Sequence, residues 1–312
     1  MASNQDIVKK ADMVLSDLAT AGLLNPVQTD RFIRTLMDSP TILNSVRTVT
    51  MKSPQMKINK LGFGQRILRP GVENTALVAA DRSKPQLSQV LLNTREVIAE
   101  VRLPYGVLED NIEGGNINAG MEQGAGGLHQ TIVDMIAQRA AVDFEELIIS
   151  GDTTSADPYL ALQDGYLKLA SANVVAAAGS TFTKALAKSV VKAMPAKYLR
   201  NRAALMHFVS VNNETEMRDV YATRATGLGD ANLTGNIPLY IFGSMIQGVP
   251  LMPAANDLFC DPLNLIFGMQ RQITIEYDKD IMAREFIIVL TARVATAIEE
   301  INAVVKVTGM TG

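Results

Sequence analysis

The strictest alternation of apolar and polar side chains lies near the end of the chain, at residues 273–278, where Ile and Tyr alternate with Thr, Glu and Asp. A period of two is typical of a strand that buries one face. The mostly apolar residues 286–294 predict a second, buried strand, and the charged residues 278–284 predict the turn between the two. Together they predict a β-hairpin. Residues 303–308 predict one further strand.

Two more strand-like stretches, residues 47–58 and 87–103, bound a segment with turn-forming residues in its middle, namely Gly62, Gly64, Pro70 and Gly71. The second stretch also alternates, and the strand that it predicts ends at Pro104. This arrangement predicts a long, projecting β-hairpin. Because a lone hairpin is marginally stable in water, we expect it to lean on a neighbouring copy of the chain.

Helical periodicity is longest at residues 128–149, which Gly151 and Asp152 follow. A helix of that length spans about 30 Å. Residues 4–44 predict two or three short amphipathic helices with a break at Pro26. These helices are too short to fold alone. Two interpretations are open: a helical cap on the chain's own core, or an arm that packs onto a neighbouring subunit.

The pattern between the long helix and the closing hairpin predicts an α/β unit. Its predicted elements are a loop-rich entry at 152–179, a helix at 181–194, a strand at 203–211, a helix at 213–221 capped by Asn212 or Asn213, a loop at 223–237, and short strands at 239–242 and 248–252. His207 and Cys260 lie among apolar residues and are predicted to be core residues. His129 is predicted to face solvent or to cap the long helix.

Charge is distributed unevenly along the chain. Residues 47–84 hold eight Lys or Arg against Glu73 and Asp81, a local balance of +6 in a chain of 312 residues whose formal net charge is -3. The predicted hairpin is therefore basic. It lacks the interleaved aromatic residues on which single-strand binders stack bases, since Phe63 is its one aromatic residue. Contact with acidic protein surface explains its charge better than base recognition does.

Composition excludes several classes of protein. With 47% apolar residues the chain can bury a substantial core, as one large domain or two ordinary ones. It has no apolar run of about eighteen residues and no Sec-type signal at its start, so we expect no membrane contact. Cys260 is the only cysteine, which excludes an internal disulfide and indicates a reducing cytosol.

Residues suited to catalysis are scarce. Six glycines at residues 114–127 match neither of the common phosphate-binding patterns, and no zinc-binding helix, EF-hand loop or nucleophile elbow occurs. Glu145 with Glu146, and Glu299 with Glu300, are adjacent carboxylates whose side chains diverge, so both pairs are predicted to be solvated surface. We therefore expect no catalytic residue, no cofactor, no metal site and no enzymatic activity.

The predicted elements, taken in order, resemble the major capsid protein of tailed double-stranded DNA phages, the Hong Kong 97 fold. The resemblance covers essentially the whole chain. It is carried by the arm-to-hairpin transition at 44–51, FEELIISGD at 144–152, GSMIQGVPLMP at 243–253, and the strand, charged turn and strand of 267–298.

This resemblance implies an α+β fold with four parts. They are an N-terminal arm (1–46), an extended hairpin called the E-loop (47–101), a peripheral domain with the long spine helix (102–156 and 264–293), and an axial domain (157–263 and 294–312). The expected intersubunit contacts are the basic E-loop residues Lys57, Lys60, Arg66, Arg69, Arg82 and Lys84. Their expected partners on a neighbouring copy are the spine-helix residues Asp134, Asp143, Glu145 and Glu146.

The implied function is structural: self-assembly into pentamers and hexamers that form the icosahedral head around phage double-stranded DNA. Implied partners are other copies of the chain, a portal, and packaged DNA held without sequence preference. Only forty-six residues precede the hairpin, which implies a separate scaffolding protein or none; a decoration protein is left open. The implied location is the virion capsid, assembled in the host cytoplasm. Some family members join an E-loop Lys to an Asn in the closing turn, but residues 278–284 hold no Asn, so no cross-link is expected.

Two alternatives compete with a phage capsid. An encapsulin, the shell of a bacterial nanocompartment, has the same fold and encloses enzymes rather than a genome. An α/β enzyme with an unrecognised site is the alternative from another class, and the shortage of His and Cys opposes it. Particles filled with DNA would exclude the first alternative, and a protein that stays monomeric at high concentration would revive the second.

Overall fold

The computed structural model describes residues 42–63, 66–68, 70–71, 82, 84–104, 128–223 and 237–311. Most of the predicted arm, the glycines at 114–127, Arg69, and nearly all of the predicted loop at 223–237 lie outside the described residues. The end of the predicted arm lies within them. Ile42 and Val46 are buried in this subunit's own core, so the arm interpretation applies only to the residues before them.

The described chain begins with four strands, mixes α-helices and strands in its middle, and ends with six strands. In order the elements are β1 (Arg47–Thr50), β2 (Gln55–Gly62), β3 (Gln86–Asn93), β4 (Arg95–Pro104), α1 (Leu128–Ser150), α2 (Tyr166–Leu169), β5 (Asn173–Ala176), α3 (Lys184–Ala193), β6 (Met206–Ser210), α4 (Val211–Ala222), β7 (Leu239–Ile241), β8 (Ser244–Val249), β9 (Asp257–Cys260), β10 (Leu265–Asp280), β11 (Glu285–Ile298) and β12 (Val304–Thr308).

A four-stranded sheet in the order β1-β10-β11-β4 forms the first layer. The predicted closing hairpin is confirmed as β10 and β11, and both strands run beyond their predicted ends. One face of the sheet packs against the spine helix α1, where Phe144, Leu147 and Ile148 join Ala292 and Val294 in one apolar cluster. The helix is thereby fixed to the sheet by burial of apolar surface.

A six-stranded sheet in the order β5-β12-β9-β6-β8-β7 forms the second layer. Its own apolar cluster joins Leu186 and Val190 of α3 to Phe259 and Val305 of the central strands. The helix α4 begins earlier than predicted. Ser210, not Asn212 or Asn213, is its cap, because the Ser210 Oγ accepts a hydrogen bond from the backbone N–H of Asn213 at 3.3 Å.

The strand predicted at residues 47–58 is two strands, which corrects that part of the sequence prediction. β1 pairs in parallel with β10 in the four-stranded sheet, whereas β2 pairs only with β3 among the described strands. Pro54 lies in the bend between β1 and β2, and its carbonyl accepts the backbone N–H of Thr94 at 2.9 Å. The bend closes the base of a separate hairpin, residues 55–93, which is called the hairpin below.

His207 is a core residue, as predicted, and it has a partner that sequence reasoning missed. Both His207 and Asp257 are fully buried, and His207 Nδ1 lies 3.0 Å from Asp257 Oδ2. The imidazole also stacks on Phe259 with 4.3 Å between ring centroids. Cys260 is buried as predicted, and its burial raises the pKa of its thiol well above the ordinary value.

Candidate assembly interface

The hairpin has two faces, which follow from the antiparallel register of β2 and β3. The sheet side carries Met56, Ile58, Val90 and Leu92, and these residues pack against a small apolar cluster of the four-stranded sheet. That cluster consists of Met51, Ile266, Ala295 and Ala297 with Leu92 itself. The hairpin therefore leans on its own subunit along its base, and the expectation that only a neighbouring copy supports it is wrong for this half.

Lys60 adds a charged contact on the sheet side of the hairpin. Its Nζ donates a hydrogen bond to the backbone carbonyl of Glu299 and lies 3.3 Å from Glu300 Oε2. The Lys60 side chain is 22% exposed. Lys60 thus makes a contact within its own subunit, and its role between subunits stays a prediction. The register decides this, because Lys60 shares the sheet side with Met56 and Ile58.

The sequence pattern predicts Glu299 and Glu300 to be solvated surface, but both carboxylates are partly buried and paired. Glu299 pairs with Arg47 Nη1 at 2.7 Å, and Glu300 pairs with Lys60. Partial burial alone would raise the pKa of Glu300, but hydrogen bonds from Asn302 and Lys60 outweigh it and lower that pKa. The two side chains do diverge, as expected of adjacent residues, but each one meets a cation of its own subunit.

The far side of the hairpin, defined by Lys57, Leu61, Leu87 and Leu91, faces away from the four-stranded sheet. Leu61 is 69% and Leu87 is 76% exposed. Other exposed residues of the hairpin are Phe63, Ile67 and Leu68, together with the basic Arg66, Arg82 and Lys84. An exposed surface that is both apolar and basic is typical of an interaction site.

The expected acidic partners that the structure describes on the spine helix differ in their burial and in their partners. The Asp143 carboxylate lies 2.8 Å from Arg139 Nη2. Glu145 is buried, and its Oε1 accepts a hydrogen bond from the backbone N–H of Ile42. Glu146 is half-buried, and the side chain of Asp134 lies outside the described residues. Glu145 is therefore an internal anchor rather than a surface charge, which corrects that assignment.

A charged junction joins the segment after the spine helix to α2. Lys168 Nζ lies 2.6 Å from Asp152 Oδ1 and 2.9 Å from Asp164 Oδ1. Hydrogen bonds from Lys168 and Thr154 lower the pKa of Asp152. At Asp164 partial burial raises the pKa, but hydrogen bonds from Lys168 and Thr153 outweigh it, so the pKa of Asp164 is also lowered. Both carboxylates are stabilised in their charged form.

No group of three His, Cys, Asp or Glu in the described part of the chain could hold a metal ion. None of the described helices is long and apolar enough to cross a membrane. Among the described surfaces, the hairpin is the candidate interface. Its sheet side packs on its own subunit, and its far side is exposed.

No family model matches the chain. It is 44% identical over 316 aligned residues, 97% of this chain and 98% of the relative, to the Bacillus subtilis (strain 168) protein named "Putative prophage capsid protein YqbE". Solved structures agree in fold. The capsid of the native GTA particle matches with a TM-score of 0.66 at 19% identity, over 96% of this chain and 100% of that one. The procapsid of satellite phage P4 matches with a TM-score of 0.63 at 15% identity, over 99% and 98% of the two chains.

The fold is α+β and of the Hong Kong 97 type, that of phage major capsid proteins. The chain belongs to the family of prophage capsid proteins that includes YqbE. It is a structural major capsid protein, and the encapsulin and enzyme alternatives find no support in these relatives.

Proposed function

We propose that the chain assembles into pentamers and hexamers, and that these close into an icosahedral head enclosing double-stranded DNA. The observation that carries the proposal is the far side of the hairpin, where Leu61, Leu87 and Leu91 are exposed beside Lys57. Exposing that much apolar surface costs free energy in a free subunit. Burial against another copy would recover it, and a closed ring needs such contacts between unlike patches.

The domain roles follow from the same proposal. Residues before Ile42 would act as an arm that docks on a neighbour, the hairpin as the E-loop, the four-stranded sheet with α1 as the peripheral domain, and the six-stranded sheet as the axial domain. The protein would have no enzymatic activity of its own. It would assemble in the host cytoplasm with a portal and a separate scaffolding protein, and hold DNA without sequence preference.

Electron microscopy of purified particles, together with their mass, tests the proposal. Closed shells built of five- and six-fold capsomers, filled with DNA, are the expected result. Shells that enclose protein instead of DNA would point to a nanocompartment, and a chain that stays monomeric at high concentration would overturn the proposal.

A further inference from the structure

The six-stranded layer carries a second basic surface, on the helix α3 and just after it. Residues 165–213 contain no Asp or Glu, whereas they contain seven Lys or Arg. Six of the seven are exposed and lie within residues 184–202, namely Lys184, Lys188, Lys192, Lys197, Arg200 and Arg202. This surface is called the basic ridge below. It is a second concentration of positive charge, besides the hairpin, in a chain whose formal net charge is -3.

The helix α3 has one apolar side and one basic side. Leu186 and Val190 are buried against the six-stranded sheet. Lys184, Lys188 and Lys192 follow one another at intervals of four residues and are all exposed. Side chains four residues apart lie one above the other on a helix, so the three lysines form one row on the solvent side. The row is about 12 Å long at 1.5 Å per residue.

The segment after α3 extends the ridge across the same layer. Tyr198 and Leu199 pack against the apolar cluster of α3 and hold the segment in place. The Ser244 Oγ at the start of β8 donates a hydrogen bond to the backbone carbonyl of Arg202 at 3.4 Å, so the segment links α3 to β8. Lys197 Nζ lies 4.5 Å from the centroid of the Tyr198 ring. The other five cations of the ridge form no ion pair among the described residues.

The stability of α3 does not account for this row of lysines. Lys184 is the first residue of the helix, and the first turn holds no acidic residue. A cation at that position is unfavourable, because the N-terminus of a helix carries a partial positive charge. Lys192, in the last turn, is placed to stabilise the helix. The row as a whole therefore concentrates positive charge at the surface at some cost to its own helix.

We propose that the basic ridge binds the phosphate backbone of the double-stranded DNA inside the head. The inference rests on the proposed function and names the surface that holds the DNA. A row of about 12 Å spans three to four phosphates of one strand, at about 3.4 Å per nucleotide along the duplex. Contacts with phosphates carry no sequence information, which agrees with DNA held without sequence preference.

Nucleic acid fits the ridge better than a protein partner does. The core of a protein–protein interface is depleted of charged residues, whereas protein–DNA interfaces are more polar and more positive. Among the described residues between Val174 and Val211, no large apolar side chain is exposed. The hairpin differs, because Leu61 and Leu87 are exposed beside its cations. The two basic surfaces of the chain therefore suit different partners.

Fluorescence anisotropy of unassembled subunits with a short DNA duplex tests the ridge. Because the binding depends steeply on salt, the titration starts at low salt and the salt concentration is then raised. A chain with Lys184→Gln, Lys188→Gln and Lys192→Gln should bind more weakly to duplexes of every sequence. The slope of log K against log salt concentration should fall by about 3, about one for each lost phosphate contact. Glutamine favours helix about as well as lysine, so the variant should keep the Tm of the unmodified chain.

The matched control removes the same amount of charge from the other basic surface. Lys52→Gln, Lys57→Gln and Lys84→Gln change three exposed lysines in and beside the hairpin. This control should leave the salt slope unchanged. An equal loss of slope in both variants would mean that net charge, rather than the ridge, governs binding, and would overturn the proposal. An unmodified subunit that binds no DNA even at low salt would overturn it too.

Acetylation of lysines in assembled particles tests whether the ridge meets the packaged DNA. Mass spectrometry should find Lys184, Lys188 and Lys192 acetylated several-fold more slowly in DNA-filled particles than in the same particles after the DNA is released. Slow acetylation in both would mean that protein covers the ridge, and fast acetylation in both would mean that the ridge faces away from the DNA; either result overturns the proposal. Particles without DNA, or no particles at all, would contradict the proposed function instead, and the anisotropy titration would still decide whether the ridge binds DNA.

Discussion

Gly165 donates its backbone N–H to the carbonyl oxygen of Gly151 at 2.7 Å, so the end of the spine helix and the start of α2 meet backbone to backbone. A Cβ on Gly165 would lie 2.7 Å from the Gly151 nitrogen and 2.7 Å from the Ile149 carbonyl oxygen. These neighbours are backbone atoms and cannot rotate away. The contact therefore requires glycine for close approach.

Gly165→Ala should destabilise the subunit by about 1–3 kcal/mol, the range typical of overpacking in a tight site. Thermal unfolding measures the effect as a lower Tm. Gly62→Ala is the matched control, since a Cβ there meets nothing within 4 Å. Equal Tm values for the two variants would contradict the close approach of Gly151 and Gly165.

The junction of Asp152, Asp164 and Lys168 should make this region sensitive to acid. Both carboxylates have a folded pKa below the ordinary value. Their contribution to stability is therefore present above the unfolded pKa of about 4 and is lost as the pH falls toward the folded pKa.

Thermal unfolding between pH 7 and pH 3 should accordingly show a fall in Tm at the acid end. The fall should be smaller in the variant Asp152→Asn with Asp164→Asn, which starts from a lower Tm at pH 7. A variant whose acid sensitivity equals that of the unmodified chain would show that other groups dominate.

Lys60→Met should loosen the hairpin from its own subunit without unfolding it. The pair with Glu300 is part-exposed, so its loss should cost no more than about 1 kcal/mol. Hydrogen exchange of unassembled subunits should be faster at residues 86–93, the strand paired with β2. Lys57→Met, on the far side, is the control and should leave the exchange unchanged. Equal exchange rates in the unmodified chain and in both variants would argue against a stabilising contact at Lys60.

Glu145 should anchor the chain where the arm region enters the core. Glu145→Leu leaves the buried backbone N–H of Ile42 without this acceptor, which should cost about 1–3 kcal/mol. Glu145→Gln keeps an acceptor oxygen at the same position and should cost less. Chemical denaturation compares the two variants, and a glutamine variant as unstable as the leucine variant would mean that the negative charge, rather than the hydrogen bond, matters.

Unassembled subunits should bind DNA weakly and without sequence preference. Fluorescence anisotropy in about 150 mM salt, where charges are screened beyond about 8 Å, should detect little binding, and the residual signal should fall steeply with added salt. Tight binding that disappears when Lys57 and Arg66 are neutralised would instead make the hairpin a nucleic-acid element.

The amino-acid sequence was sufficient to predict the order of the main parts, the basic hairpin, the closing pair β10 and β11, and the core positions of His207 and Cys260. These features depend on local periodicity and composition, which a strand or helix imposes on its own residues. The resemblance to phage capsid proteins followed from the same order.

The direction in which individual charged side chains face could not be predicted in the same way, because it depends on the three-dimensional fold. Glu145 and Lys60 have polar side chains in ordinary surface-like patterns, yet one caps the backbone of Ile42 and the other pairs with Glu300, 240 residues away. Such contacts depend on where distant segments cross.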